Sequence, residues 1–120
     1  MEAIKTVETL YHVGRPKGRV QVYVTRTDGE VRGRELSPDA SQKLYNHSPD
    51  GFEFGYHGSG PAQLALAILY DFTEDKDLAL EHYQDFKVAF IAGMPHGGRT
   101  IHGSDITQWL AARRPESDVR

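Results

Sequence analysis

The chain contains no cysteine among its 120 residues. Disulfide bonds, thiol nucleophiles and thiolate-bound metals are therefore excluded, and with them the small secreted scaffolds that depend on disulfides. The first residues do not combine a basic start with an apolar run, and no apolar segment reaches the roughly 20 residues of a membrane span. These absences predict a cytoplasmic protein that does not enter a membrane.

Positive charge is also scarce, with 14 basic residues against 17 acidic ones and a net charge of -3. The broad positive field that attracts a phosphate backbone is missing, so nucleic acid is disfavoured as a partner. A chain of this length forms one domain that buries roughly two thirds of the surface exposed by its unfolded form. We predict a single domain over residues 1–114, followed by a loose polar tail over residues 115–120.

Alternation of apolar and polar residues predicts three strands in the first third of the chain. They cover Thr9 to Val13, Arg19 to Arg26 and Val31 to Leu36. Between the last two lies Asp28-Gly29, a dipeptide that tolerates the positive φ angles of a tight hairpin. The pattern predicts a three-stranded antiparallel meander.

Two helices are predicted in the second half of the chain. Residues Pro61 to Phe72 are apolar on nearly every side, as in a helix that is surrounded by protein. Residues Asp77 to Ala92 carry one apolar face, and we expect the two helices to form a central hairpin. Residues 99–102 fit a short strand, and Ser104 is predicted to cap a final helix that ends at Arg113.

Two segments allow more than one structure. Residues 37–50 fit either a short helix or an irregular crossing, because Ser37-Pro38-Asp39 can start a helical turn and Pro49 forbids a long one. Phe52 and Phe54 fit either a brief strand or a packed loop. The predicted fold class is α+β, with a three-stranded antiparallel sheet packed against a central helical hairpin and a C-terminal helix.

The loop before Pro61 is rich in glycine and aromatic residues and is the candidate binding site. Unpaired amide groups at a helix start attract anions, and Ser59 and His57 can add donors to a phosphate. The alternative, which we favour, is that the loop only caps the helix and delivers it into the core. The residues predicted to bind a ligand are His47, Glu53, Tyr56, His57, Gly58, Ser59, Gly60 and Gln63.

No catalytic constellation is recognisable in the sequence. No two histidines have the helical spacing of a metalloprotease motif, and no serine lies in a nucleophile elbow. We therefore predict no metal, no cofactor and no enzymatic activity, with a general base at His57 or His47 as the enzymatic alternative. His47 also fits a structural role, locking the turn that contains Ser48-Pro49.

Six basic residues lie on or between the predicted strands. Arginine and tyrosine on a sheet face can stack on nucleic-acid bases, but charged residues also protect sheet edges against unwanted strand pairing. We favour edge protection. The six residues are Arg15, Lys17, Arg19, Arg26, Arg32 and Arg34.

Three separated strings resemble the signature of a family of small domains of unknown function. They are NHSPDGFEFGY at residues 46–56, GSGPAQLALA at residues 58–67 and YQDFK at residues 83–87. The resemblance implies relatives in bacteria, archaea, plasmids and phages, and it implies no activity. Two positions depart from similar sequences, which often carry tryptophan in place of Phe54 and glycine in place of His57.

These observations predict a non-enzymatic interaction or regulatory module that binds a protein partner or forms a homo-oligomer. The resemblance adds a context, namely an accessory protein of a phage or another mobile element. The alternative function is a binder or sequestering protein for a phosphorylated ligand or nucleotide at the helix start near Ser59.

Overall fold

A computed structural model describes residues 7–113 of the chain. Strands β1 (Glu8–Gly14), β2 (Gln21–Thr27) and β3 (Val31–Glu35) come first and are followed by the short helix α1 (Asp39–Leu44). Helices α2 (Ser59–Thr73) and α3 (Lys76–Phe86) form the middle of the chain, and a π-helical segment (Lys87–Ile91) continues α3. Strand β4 (Arg99–His102) leads directly into helix α4 (Gly103–Ala112).

The strands form one antiparallel sheet in the order β3-β2-β1-β4. The predicted meander of β1, β2 and β3 is confirmed, and the turn at Asp28-Gly29 places Thr27 opposite Val31. The predicted count of three strands is wrong, because β4 pairs with β1 as a fourth strand. Four residues carry too little alternation to show which strand they join.

Helix α2 is the central element of the fold. All residues from Gly60 to Leu69 are buried, and the helix packs against α1, α3 and the π-helical segment. The sheet adds one face of each inner strand to the same core, including Tyr11, Val22 and Val24. The predicted apolar helix at the centre of an α+β fold is therefore confirmed.

Both ambiguous segments now have a structure. Residues 37–50 contain the short helix α1 and no longer element. Phe52 and Phe54 lie in a packed loop and not in a strand, and both side chains are buried. The loop reaches the π-helical segment, where the amide of Gly55 donates to the carbonyl of Ile91 at 3.1 Å.

Two predicted helix boundaries are wrong. The single helix over residues 77–92 ends as an α-helix at Phe86, and the amide of Ala92 bonds the carbonyl of Lys87, five residues earlier, at 2.9 Å. Such a wider turn leaves the apolar periodicity nearly unchanged, so the sequence pattern does not reveal it. Ser104 is not a cap, because α4 begins at Gly103 and its N-cap position is His102.

No helix among residues 7–113 is long and apolar enough to cross a bilayer. The predicted tail over residues 115–120 lies outside the described residues.

Candidate functional site

Gln63 lies at the centre of the predicted site and is completely buried on α2. Its side-chain oxygen accepts the backbone N–H groups of His47 at 2.7 Å and Ser48 at 3.0 Å. Its side-chain nitrogen donates to the hydroxyl of Ser41 at 2.9 Å and the carbonyl of Tyr45 at 3.1 Å. All four hydrogen-bonding positions of the amide are thereby used within the chain. Gln63 thus fastens the turn of residues 45–48 to α2.

The His47 ring is held between two tyrosines. It stacks on Tyr45 with ring centroids 4.2 Å apart and planes at 13°, and its Nε2 atom contacts the hydroxyl of Tyr83 on α3. Burial lowers the pKa of His47, and the positive charge of Lys87 lowers this pKa further. In the tautomer with its proton on Nδ1, the Nε2 atom of the neutral ring accepts a hydrogen bond from the Tyr83 hydroxyl. This arrangement supports the structural role predicted for His47.

The three strings of the resemblance therefore meet at one place. Gln63, from the second string, binds the backbone of His47 in the first string, and the His47 ring contacts Tyr83 in the third. These contacts hold the segment between α1 and α2 against α2 and α3. The packing of the chain therefore explains them without a ligand.

Glu53 lies beside the start of α2. Its carboxylate pairs with the Arg15 guanidinium at 3.0 Å, and Arg15 also lies over the Phe54 ring and donates to the carbonyl of His96 at 3.0 Å. Gly60 permits the close approach of this segment, since a Cβ there would lie 2.6 Å from the Cβ of Glu53. Glu53 and Gly60 therefore join the β1–β2 turn to the start of the central helix.

Three of the remaining predicted residues, Tyr56, His57 and Ser59, are exposed at the start of α2. The fourth, Gly58, is at the N-cap position, and no side chain caps the helix. The Tyr56 ring covers Gly58, where an added Cβ would lie 2.6 Å from the ring. The structure thus brings the predicted site residues into one region but divides them into residues that join separate segments of the chain and residues of an exposed loop.

An anion at this helix start meets two obstacles. Pro61 lacks an amide N–H, which removes one of the first donors of the helix. The Glu53 side chain lies against Gly60, at the second residue of the helix, and occupies space that an anion there would need. The phosphate site near Ser59 stays a prediction. For metals, no three histidine, aspartate or glutamate residues among residues 7–113 are grouped so that they could hold an ion.

A concave region lies at the opposite end of α2. A cavity of about 310 Å³ opens between β2, β3 and the last turn of α2, and a second cavity of about 400 Å³ adjoins it. Arg34, Asp71 and Glu74 line both cavities, while Arg26 and Arg32 line the first. We call the two cavities together the arginine groove.

The register of the sheet brings the three arginines of the groove onto one face. Arg26 lies directly opposite Arg32, and Arg34 lies opposite the buried Val24. Because side chains alternate between the faces of a strand, all three arginines share the face that is covered by α2. Like charges directly opposite each other destabilise a sheet.

The charge of Arg26 and Arg32 is poorly balanced. Arg32 pairs with Glu30 at 3.1 Å, but their side chains are 79% and 72% exposed, and such pairs contribute little. Among residues 7–113, Arg26 forms no ion pair. The two arginines therefore present positive charge to anything that enters the groove.

Asp71 fixes the third arginine. Its two carboxylate oxygens accept hydrogen bonds from Nη2 of Arg34 at 2.7 and 3.0 Å. One of these oxygens also accepts a hydrogen bond from the hydroxyl of Tyr11 at 2.7 Å. Burial raises the pKa of Tyr11 and the Asp71 charge raises it further, so Tyr11 stays protonated and keeps donating. Asp71 therefore joins the sheet to α2 and holds Arg34 at the boundary between the two cavities.

The groove was visible in the sequence only in part. A two-residue hairpin at Asp28-Gly29 would place Arg26 opposite Val31, but the turn covers residues 28–30 and places Arg26 opposite Arg32. The six basic residues named in the sequence do not form one surface. Arg15 pairs with Glu53 near the start of α2, whereas the arginine groove lies at the other end of this helix. No local pattern predicts that Asp71 arrives from α2.

A comparison with protein-family sequence models matches residues 11–112 to a family of unknown function, DUF6166. The chain belongs to the DUF6166 family. The match runs from β1 to the last residue of α4. Gln63 with its hydrogen-bond partners and the three arginines of the groove therefore lie within the family domain. The predicted membership in an uncharacterised family is thereby confirmed. No curated protein and no solved structure matches the chain.

The stability of this DUF6166 domain is expected to fall as the pH is lowered below the ordinary His47 pKa of 6.5. Since the pKa is lower in the folded than in the unfolded state, the unfolded chain binds more protons at acid pH, and the free energy of unfolding rises with pH until it levels off. Urea unfolding between acid and neutral pH measures this slope. His47→Gln should flatten it and the exposed His57→Gln should not; equal slopes in wild type and His47→Gln would contradict the assignment.

Proposed function

We propose that the protein is a non-enzymatic interaction module that binds an acidic segment of a protein partner in the arginine groove. The observation that carries this proposal is the in-register pair of Arg26 and Arg32, two like charges on one sheet face at the mouth of a cavity. A carboxylate placed between them would remove their repulsion and form charge-assisted hydrogen bonds. Arginine suits this role because its planar fork binds carboxylates with two parallel bonds.

The chemistry of the groove supports recognition and not catalysis. Both oxygens of Asp71 already accept hydrogen bonds from Arg34 and Tyr11, so this carboxylate is a poor general base. The raised pKa of Tyr11 keeps its hydroxyl from acting as a nucleophile or base. The first cavity offers a ligand three arginines against the two carboxylates of Asp71 and Glu74, beside apolar surface from Phe72.

The resemblance supplies the biological part of the proposal. We propose that the module acts in the cytoplasm as an accessory protein of a phage or another mobile element and binds a host protein. The net charge of -3 gives an acidic partner no general attraction, so recognition depends on the local charge of the groove. Local complementarity of this kind sets orientation and partner choice more than affinity.

A phosphorylated ligand is the alternative occupant. Its predicted site near Ser59 lies beside the Glu53 side chain, which packs against Gly60, whereas the groove carries arginines, which bind phosphate as well as carboxylate. Both anions therefore belong in the test of the groove.

The double variant Arg26→Glu/Arg32→Glu is expected to lose binding of a fluorescein-labelled peptide of alternating glutamate and valine. Reversal of two charges should raise the Kd by roughly a hundredfold, because each contact changes from attraction to repulsion. Fluorescence anisotropy titrations at low and high salt measure the effect. Wild-type binding should weaken as salt is added, since the arginines are exposed.

Arg19→Glu is the matched control, because Arg19 is exposed in the β1–β2 turn at the other end of β2. It changes one charge in the same sense and should leave the Kd within a factor of about two. Thermal unfolding of the wild type with inorganic phosphate or nucleotides tests the alternative, since a ligand that binds the folded state raises Tm. A wild type that binds phosphate but not the peptide would favour the alternative, and one that binds neither would refute the groove as a recognition site.

A further inference from the structure

Strand β3 forms one edge of the sheet, and no strand among residues 7–113 pairs with its outer side. All five of its residues are exposed. The amide of Leu36 donates to the carbonyl of Val22 at 2.8 Å, which sets the hydrogen-bonding phase of the β2–β3 pair. Because this phase alternates along an antiparallel pair, Arg32 and Arg34 direct their backbone groups toward β2. The backbone N–H and C=O groups of the intervening residues, 31, 33 and 35, therefore point away from the sheet.

We infer that the acidic partner segment adds to the outer edge of β3 as a fifth strand. This inference rests on the proposed function and specifies how the groove takes its ligand. Main-chain hydrogen bonds to residues 31, 33 and 35 supply affinity that does not depend on sequence, and alternate side chains of the added strand supply specificity. The side chains on one face of that strand enter the arginine groove, which lies under the same edge.

The spacing of the groove sets a rule for the ligand. Side chains on one face of a strand recur every second residue, about 6.6 to 6.8 Å apart. Arg32 and Arg34 have this spacing on β3, and the two cavities lie on either side of the Arg34–Asp71 ion pair. A strand with acidic residues at alternate positions keeps all of its carboxylates on the face that carries Arg26 and Arg32, whereas consecutive acidic residues would direct half of their charge away from the groove.

The same arginines exclude a second copy of the chain from this edge. In an antiparallel pair of two β3 strands centred on Gly33, Arg32 of one copy would lie opposite Arg34 of the other. Like charges directly opposite each other oppose such pairing, which is how natural edge strands avoid aggregation. Edge protection and partner recognition are therefore one property, since the edge rejects its own copy and accepts an acidic strand.

Glu35→Pro tests the main-chain part of the inference. Proline removes the N–H of residue 35, which points to the outer edge, and it leaves the bonds between β2 and β3 intact. The Kd of the alternating glutamate–valine peptide should rise roughly tenfold. One hydrogen bond is lost, and the proline ring also obstructs the approach of the added strand. Glu35→Ala is the matched control, because it removes the same side chain and keeps the N–H. Its Kd should be unchanged or lower, since it removes a negative charge beside an acidic ligand.

Val31→Pro provides a second test at the other end of the strand, and thermal unfolding of each variant verifies that the fold is kept. A peptide of the same composition with its glutamates in one block should bind at least several-fold more weakly than the alternating peptide. If both proline variants bind the peptide as the wild type does, while Arg26→Glu/Arg32→Glu does not, the fifth strand is refuted and the proposed function stands. If the wild type binds no acidic peptide, both are refuted.

Discussion

Replacement of Gly98 by alanine is expected to lower the free energy of unfolding by about 3 kcal/mol or more. Gly98 has φ +93°, a conformation that costs a residue with a side chain roughly 1 to 3 kcal/mol. Its added Cβ would also lie 2.0 Å from the carbonyl oxygen of Val13 and 2.8 Å from the carbonyl carbon. These are backbone atoms of β1, which cannot turn aside as a flexible side chain can. The start of β4 must therefore move away from β1.

The neighbouring residue provides the control for this prediction. An added Cβ at Gly97 would meet no atom of residues 7–113 within 4 Å, so Gly97→Ala should change the free energy of unfolding by less than about 0.5 kcal/mol. Chemical unfolding of the two variants and the wild type measures both effects. Similar losses for Gly97→Ala and Gly98→Ala would show that the close approach to β1 does not decide stability here.

The damage in Gly98→Ala should extend beyond β4, because α4 follows β4 without a connecting turn. Trp109, the single tryptophan, lies on α4 and packs edge-on against Phe86 and Phe90. Its fluorescence therefore reports whether α4 stays docked on α3 and the π-helical segment. We expect a red-shifted emission maximum in Gly98→Ala under conditions where the spectrum of Gly97→Ala matches the wild type.

The parts of the fold that depend on local patterns were predictable from the sequence. Alternating valines and an Asp-Gly turn sufficed for the β1–β2–β3 meander, and a helix apolar on all sides sufficed for the position of α2 in the core. The strand at residues 99–102 was predicted, but its place in the sheet was not, because its pairing with β1 joins segments that lie far apart in the chain. The π-helical turn at residues 87–91 was hidden for another reason, since it changes hydrogen bonds and not apolar spacing.

The candidate sites show the same division. The glycine-rich loop was predicted as a binding site because of its composition. Composition does not distinguish a glycine that exposes an amide to a ligand from one that, like Gly60, makes room for the Glu53 side chain. The arginine groove needs a register that is set by the three-residue turn 28–30, which the Asp-Gly dipeptide alone does not reveal, and it needs Asp71, which only the tertiary fold brings to the sheet. Polar residues of a central helix are therefore hard to interpret from sequence, and Gln63 is the clearest case.

Gln63→Ala is expected to lower the free energy of unfolding by about 3 kcal/mol or more. Truncation leaves two backbone N–H groups, one carbonyl and one hydroxyl without their present partner, and each of these groups that water does not reach costs roughly 1 to 3 kcal/mol. The removed side chain also leaves a cavity beside the central helix, which adds to the loss. Urea unfolding followed by circular dichroism measures the difference from the wild type. Gln84→Ala, which removes the same side chain from an exposed position on α3, should cost less than about 0.5 kcal/mol.

Gln63→Glu separates the two halves of the amide. The glutamate keeps an oxygen that accepts hydrogen bonds from the N–H groups of His47 and Ser48. Its second oxygen faces the carbonyl of Tyr45, which repels an ionised carboxylate but accepts a hydrogen bond from a protonated one. The pKa of this glutamate should therefore be higher in the folded than in the unfolded state. Relative to wild type at each pH, the variant should be least stable near neutral pH and should recover as the pH is lowered. If instead Gln63→Ala were as stable as Gln84→Ala, the turn of residues 45–48 would hold without the amide, and the convergence of the three strings at Gln63 would need a ligand to explain it.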